Sequence, residues 1–100
     1  SLSNRRNRRL VVEVLNGRNL KAMDRGGTSD PYVTLSIGSD KIKDKRGQTK
    51  VVSKNLSPFW NEEVVIHVSE KEIARYQLCV QVWDSDMLAS DDLIGTTVMS

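Results

Sequence analysis

Apolar residues in this chain recur at every second position, in short runs cut off by clusters of Gly, Asn, Asp, Ser and Pro. Leu10-Val11-Val12-Glu13-Val14-Leu15 is β-branched and stops at Asn16-Gly17. Tyr32 to Ile37 alternates, with Val33, Leu35 and Ile37 on one side and Tyr32, Thr34 and Ser36 on the other; Gly38-Ser39-Asp40 ends it. Thr49 to Ser53 reads as a further short strand. Glu63 to Val68 alternates again, with Val64, Ile66 and Val68 inward. Tyr76 to Trp83 puts Tyr76, Leu78, Val80 and Val82 inward, and Ile94 to Met99 follows Asp91-Asp92. Successive side chains of a strand point to opposite faces, so this period marks half-buried strands. Strands of this length between turn clusters predict an all-β antiparallel sandwich. Lys41-Ile42-Lys43 adds one more strand if it pairs. Ser69 to Arg75 has room for a single helical turn capped by Ser69. Trp60 is expected under the sandwich. Trp83, His67 and Cys79 carry the outward parity of their strands.

Length and composition narrow the picture. One hundred residues, 38% of them hydrophobic, suffice for one domain with its own core. Ser1 to Arg9 reads as a basic tail or linker, and residues 10–100 as the domain. The single cysteine, Cys79, excludes an internal disulfide, which fits a reducing, cytoplasmic setting. No apolar stretch approaches the roughly 20 residues of a membrane-spanning helix. The Arg-rich start lacks the apolar core of a signal peptide, so any membrane contact is expected to be peripheral. The net charge of +2 is small but segregated. Arg5, Arg6, Arg8 and Arg9 open the chain, Lys41, Lys43, Lys45 and Arg46 lie in the middle, and acids gather in two turn regions.

Those acids are the candidate chemistry. Asp24 and Asp30 bracket a turn containing Gly26-Gly27, which lets the chain reverse sharply. Asp84 and Asp86 continue the inward parity of Leu78, Val80 and Val82 beyond the core. Asp92 follows after a loop long enough to turn back. Taken singly, each is an ordinary turn aspartate. If the two loops are neighbours, five carboxylates converge and repel one another unless a cation lies between them. Ca²⁺, with 6–8 hard oxygen ligands in flexible geometry, is the matching ion. No Cys/His cluster favours a softer metal, and the spacing is not that of an EF-hand.

Three stretches are similar to a known family. Asp24-Arg25-Gly26-Gly27-Thr28-Ser29-Asp30-Pro31-Tyr32-Val33 resembles the first Ca²⁺-binding loop of C2 domains. Thr49-Lys50-Val51 and Asn55-Leu56-Ser57-Pro58-Phe59-Trp60-Asn61-Glu62 resemble their central stretch. Val82-Trp83-Asp84-Ser85-Asp86 and Asp91-Asp92-Leu93-Ile94-Gly95 resemble their third loop. The resemblance runs from about Leu10 to Val98. It implies an eight-stranded antiparallel β-sandwich with Ca²⁺ loops at one end. It also implies Ca²⁺-dependent docking of a larger host protein to anionic phospholipid, with phosphatidylserine as the type of headgroup. The expected metal set is Asp24, Asp30, Asp84, Asp86 and Asp92, with Met23 and Trp83 beside them, for two Ca²⁺ ions. Ala89 stands where some members have a Ser that helps hold a further ion, so no strong third site is expected. Thr34 and Ser36 stand where some members have inositol-lipid-binding lysines, which argues against a specific inositol-lipid site. Six or seven strands fall short of eight: either the final strand lies outside the given sequence, or a partner supplies it, since an unpaired sheet edge invites strand exchange between copies in a homodimer.

The membrane-facing residues follow from the loops. Met87 and Leu88 occupy the expected tip of the third loop, where apolar side chains suit shallow insertion. Arg25 occupies the tip of the first. Lys41, Lys43, Lys45, Arg46 and Lys50 offer charge to an anionic surface; their plainer role is a solvated edge that deters aggregation. A Ca²⁺-independent interaction or scaffold domain is the alternative function. A metal-dependent hydrolase lacks a base, since the one histidine lies elsewhere, so the module is not expected to be an enzyme. Nucleic-acid binding would rest on the tail arginines alone, with little aromatic interleaving, and is not expected.

Overall fold

The computed structural model describes residues 7–39 and 43–99. Along the chain they form β1 (Asn7–Asn16), β2 (Pro31–Gly38), β3 (Lys43–Gln48), β4 (Phe59–Ser69), α1 (Glu70–Arg75), β5 (Gln77–Asp84) and β6 (Asp92–Met99). β1 and β4 make one sheet, and β3-β2-β5-β6 make the other. Every ladder is antiparallel. The all-β sandwich expected from the alternation is the fold.

The core lies between the two sheets. Val14, Trp60, Val64, Ile66 and Val68 from one sheet meet Val33, Leu35 and Ile37 from the other, flanked by partly buried Leu78, Val80 and Val82. Each fully buried aliphatic side chain contributes about 1.5–3 kcal/mol relative to an exposed one. The expected inward parities of β2 and β4 hold residue for residue. Trp60 also ties the start of β2, because its indole N–H donates to the Pro31 carbonyl at 3.2 Å. At Gly47 the sheets approach so closely that a Cβ would lie 2.7 Å from Val64 Cγ1 and 2.9 Å from Ile66 Cγ2.

Several local expectations are corrected. Thr49 to Ser53 is not a strand; the strand in this region is β3, which ends at Gln48. The sequence of β3, Lys-Asp-Lys-Arg-Gly-Gln, has no apolar alternation because it forms a polar sheet edge. Lys41 and Ile42 lie outside the described residues. After β3 the chain is held intermittently to β2, by Thr49 N–H to Val33 O at 2.9 Å, Val33 N–H to Thr49 Oγ1 at 3.0 Å and Val52 N–H to Pro31 O at 3.0 Å. β1 begins at Asn7, so the last part of the expected tail is paired with β4, Arg9 opposite His67. Tyr76 is not inward but 40% exposed: it ends the helix, its N–H on the Glu72 carbonyl, and its ring lies under Arg75. Cys79 has outward parity yet is buried, beside buried Thr34 and Ser36 on the two central strands. Longer side chains, among them Tyr32 and Trp83, stand over this small-residue floor.

The single helical turn forms as expected. Ser69 Oγ accepts from Glu72 N–H at 3.1 Å, and Glu72 Oε1 accepts from Ser69 N–H at 2.9 Å, a reciprocal capping box. Arg46 docks this turn onto β3. Its guanidinium pairs with both Glu72 oxygens and with Asp44, and donates to the His67 carbonyl at 3.0 Å. The Arg46 hydrogen bond, then the Ser69 amide, hold the Glu72 carboxyl at about 2.

Candidate metal centre

Strand register creates the site. Pro31 opens β2 directly opposite Asp84, the last residue of β5. Asp30 and Asp84 are therefore neighbours where both strands run out. The Asp30 N–H donates to Asp84 Oδ1 at 2.8 Å, and the Ser85 N–H returns a bond to the Asp30 carbonyl at 3.0 Å. Asp84 is only 1% exposed.

The first loop (residues 17–30) brings in Asp24. Its tip is a tight turn, Gly27 N–H on the Asp24 carbonyl at 3.1 Å, with Gly27 at φ 78°, a conformation that glycine alone adopts cheaply. The base is tied by Ser29, fully buried, whose hydroxyl accepts from Met23 N–H and donates to the Lys21 carbonyl, both at 2.9 Å. With the loop closed in this way, one carboxylate oxygen each of Asp24, Asp30 and Asp84 lies within 4.8 Å of the others. Partial burial, the charges of Asp84 and Asp30, a hydrogen bond with Asp84 and the charge of Asp86 push the Asp24 carboxyl above its ordinary range.

The second loop (residues 49–58) and the third (residues 85–91) complete the surroundings. Asp30 Oδ1 accepts from Lys54 N–H at 2.7 Å and from the Ser53 hydroxyl at 3.3 Å. Asp86 stands outside the group of three. Its Oδ1 faces the tip of its own loop and accepts from Leu88 N–H at 2.8 Å and Ala89 N–H at 3.2 Å. Asp92 opens β6 across the ladder from Asp84 and is exposed. Met23 adjoins Asp24 with its amide tied to Ser29. The Trp83 indole points away from the carboxylates and donates to Thr34 Oγ1 at 3.0 Å, which leaves its backbone beside Asp84.

The expected membrane residues divide. Met87 and Leu88 are each 98% exposed at the tip of the third loop, and Arg25 is exposed in the turn of the first. Lys43 and Lys45, exposed on β3, border a groove of about 500 Å³ over Thr34, Ser36 and Gln81. Lys50 is exposed at the start of the second loop. Arg46 is engaged with Glu72 and Asp44, and Lys41 lies outside the described residues. The residue that sequence reasoning passed over is Asp91. Its Oδ1 accepts from Asp86 N–H at 2.8 Å and its Oδ2 from the Tyr32 hydroxyl. The signal is the Asp91-Asp92 pair, of which only Asp92 belongs to the expected ligand set.

An antiparallel sandwich with a carboxylate group between loops at one end defines a class, and comparison with known proteins specifies it. The family model described as C2 domain matches residues 8–100, and the chain belongs to that family. Human synaptotagmin-7 is 36% identical over 94 residues, spanning 91% of this chain and 23% of that protein. A C2 and GRAM domain-containing protein of Arabidopsis thaliana is 41% identical over 92 residues, 92% of this chain and 8% of that protein. Among solved structures, a C2 domain of plant extended synaptotagmin 1 superposes with a TM-score of 0.71 at 30% identity, covering 91% of this chain and 66% of that one. The chain thus spans less than a quarter of these curated relatives. As a C2 domain it is a binding module. Among the described residues no helix is long and apolar enough to cross a membrane.

Proposed function

We propose that this domain binds anionic phospholipid membranes in a Ca²⁺-dependent manner and brings its host protein to them. The observation that carries the reading is Asp84: a carboxylate almost fully buried, grouped with Asp24 and Asp30, and in none of the ion pairs among the described residues. Buried charge of one sign is costly unless a counter-charge meets it. An all-oxygen donor set fits a hard cation, and its irregular loop origin fits Ca²⁺ better than the strict octahedron of Mg²⁺.

Asp24, Asp30 and Asp84 hold the first ion in this reading, and Asp86 and Asp92 extend the set to a second. When bound, Ca²⁺ supplies positive charge and coordination positions for lipid phosphate or carboxylate oxygens. The protein's own part is to place those positions at the end of the sandwich, beside apolar Met87 and Leu88. The carboxylates repel anionic headgroups until they are neutralised, so the device is an electrostatic switch. Arg25, Lys43, Lys45 and Lys50 add attraction, about 1 kcal/mol for each cation that reaches the surface. Membership of a family with synaptotagmins and extended synaptotagmins supports the lipid part. Among the described residues the sheet of β1 has two strands, and an edge of that kind supports strand pairing with a second copy.

Titration calorimetry tests the metal reading. Wild-type protein is expected to bind Ca²⁺ with a stoichiometry of two. Asp84→Asn keeps an acceptor for the Asp30 amide, so it folds, but its affinity falls at least ~10-fold. Equal affinity in wild type and variant would remove Asp84 from the site. Sedimentation equilibrium tests the pairing: a monomer at every concentration would exclude it.

A further inference from the structure

The third loop is held by one side chain that the expected ligand set does not include. Both oxygens of Asp91 are engaged, one by the Asp86 amide at 2.8 Å and the other by the Tyr32 hydroxyl. Tyr32 belongs to β2, at the centre of the larger sheet and two residues beyond Asp30. Asp86 in turn accepts from the amides of Leu88 and Ala89. An unbroken series of hydrogen bonds therefore runs from the rigid sheet, through Asp91, to Asp86 and on to the loop tip.

We propose that Asp91 is the positioning residue of the third loop, fixing Asp86 and the Met87-Leu88 tip against Asp30 and Asp84 without itself holding metal. The toward-metal part rests on the Ca²⁺ reading above. The physical case is preorganisation. Ordering a loop residue at the moment of binding costs backbone entropy, and a loop already tied to the sheet avoids part of that cost. Asp91 serves as a double acceptor, one oxygen for the Tyr32 hydroxyl and the other for the Asp86 amide. The arrangement also separates the roles within the Asp91-Asp92 pair. Asp91 faces β2 and the loop backbone, whereas Asp92 starts β6 across from Asp84.

Two substitutions distinguish a positioning group from a sixth ligand. In Asp91→Asn the amide oxygen still accepts from the Asp86 N–H, and the amide nitrogen can donate to the Tyr32 oxygen, so the loop stays tied. In Asp91→Ala both ties are lost. The experiment measures amide hydrogen exchange at Asp86, Leu88 and Ala89 in the presence of chelator, and Ca²⁺ affinity by calorimetry. Asp91→Ala is expected to speed exchange at these amides and weaken Ca²⁺ by about 10-fold, while Asp91→Asn stays within about 3-fold on both. Tyr32→Phe, which cuts only the anchor to β2, is expected to fall between them and stands in if the Ala variant does not fold. Equal losses in Asn and Ala would mark a charge or ligand role and overturn the proposal, as would unchanged exchange in Ala and Phe. If wild-type protein bound no Ca²⁺, the Ca²⁺ reading would fall with the toward-metal part of the proposal, and the exchange rates would still decide whether Asp91 fixes the loop.

Discussion

Leu88 tests whether the third loop enters a membrane. Its side chain is 98% exposed, so nearly all of its apolar surface is available for burial elsewhere. Leu88→Ala removes roughly three methylene equivalents, about 0.8 kcal/mol each on full transfer from water. Half-transfer into the interfacial region makes the loss about 1.2 kcal/mol, or ~8-fold in vesicle affinity. Met87, equally exposed and adjacent, makes the double variant weaker still. Removing so exposed a side chain leaves folding stability within about 0.5 kcal/mol. The carboxylates are untouched, so Ca²⁺ affinity in solution stays the same. Cosedimentation with phosphatidylserine-rich vesicles at saturating Ca²⁺, beside calorimetry without vesicles, separates these effects. A double Ala variant that sediments like wild type would refute insertion and leave charge alone as the attraction.

Gly47→Ala forces a Cβ against the branched methyls of Val64 and Ile66 and is expected to destabilise the sandwich by about 1–3 kcal/mol, read as a lowered thermal midpoint. Glu72→Gln removes the charge that Arg46 clamps. Because the folded Glu72 carboxyl is held at about 2, below its ordinary 4.5, its stabilisation is present above pH 4.5 and is lost as pH falls toward 2. Urea denaturation at several pH values should therefore show wild type and Glu72→Gln differing by about 1.5–3 kcal/mol near neutrality and converging in acid. Asp84→Asn should raise the thermal midpoint measured in chelator, since it relieves like-charge repulsion at a buried position; a lowered midpoint would indicate that the carboxylate is needed for the fold itself.

The strands that bury one face were legible because burial writes itself into the sequence with period two. Val33-Leu35-Ile37 and Val64-Ile66-Val68 are the cases in point. β3 was misplaced for the converse reason: a polar edge strand of Lys, Asp, Arg and Gln buries almost nothing and leaves no alternation to read. Ser69 and Glu72 announced the helix because a capping box is local chemistry three residues apart. The grouping of Asp24, Asp30 and Asp84 could be expected because strand parity and a Gly-rich turn aim them at one end. What stayed hidden was contact across 59 residues of chain, Tyr32 to Asp91, which no local spacing encodes. The engagement of Arg46 with Glu72 was hidden in the same way, and it withdraws from solvent a charge that looked free beside its lysine neighbours.

The most direct test of the central claim is cosedimentation of the wild-type domain with phosphatidylserine-rich vesicles, with Ca²⁺ and with chelator. Binding only in Ca²⁺, reversed on chelation, is the predicted result. Equal binding in both conditions, or none in either, would contradict Ca²⁺ gating and point to docking through the basic residues or to recognition of another protein.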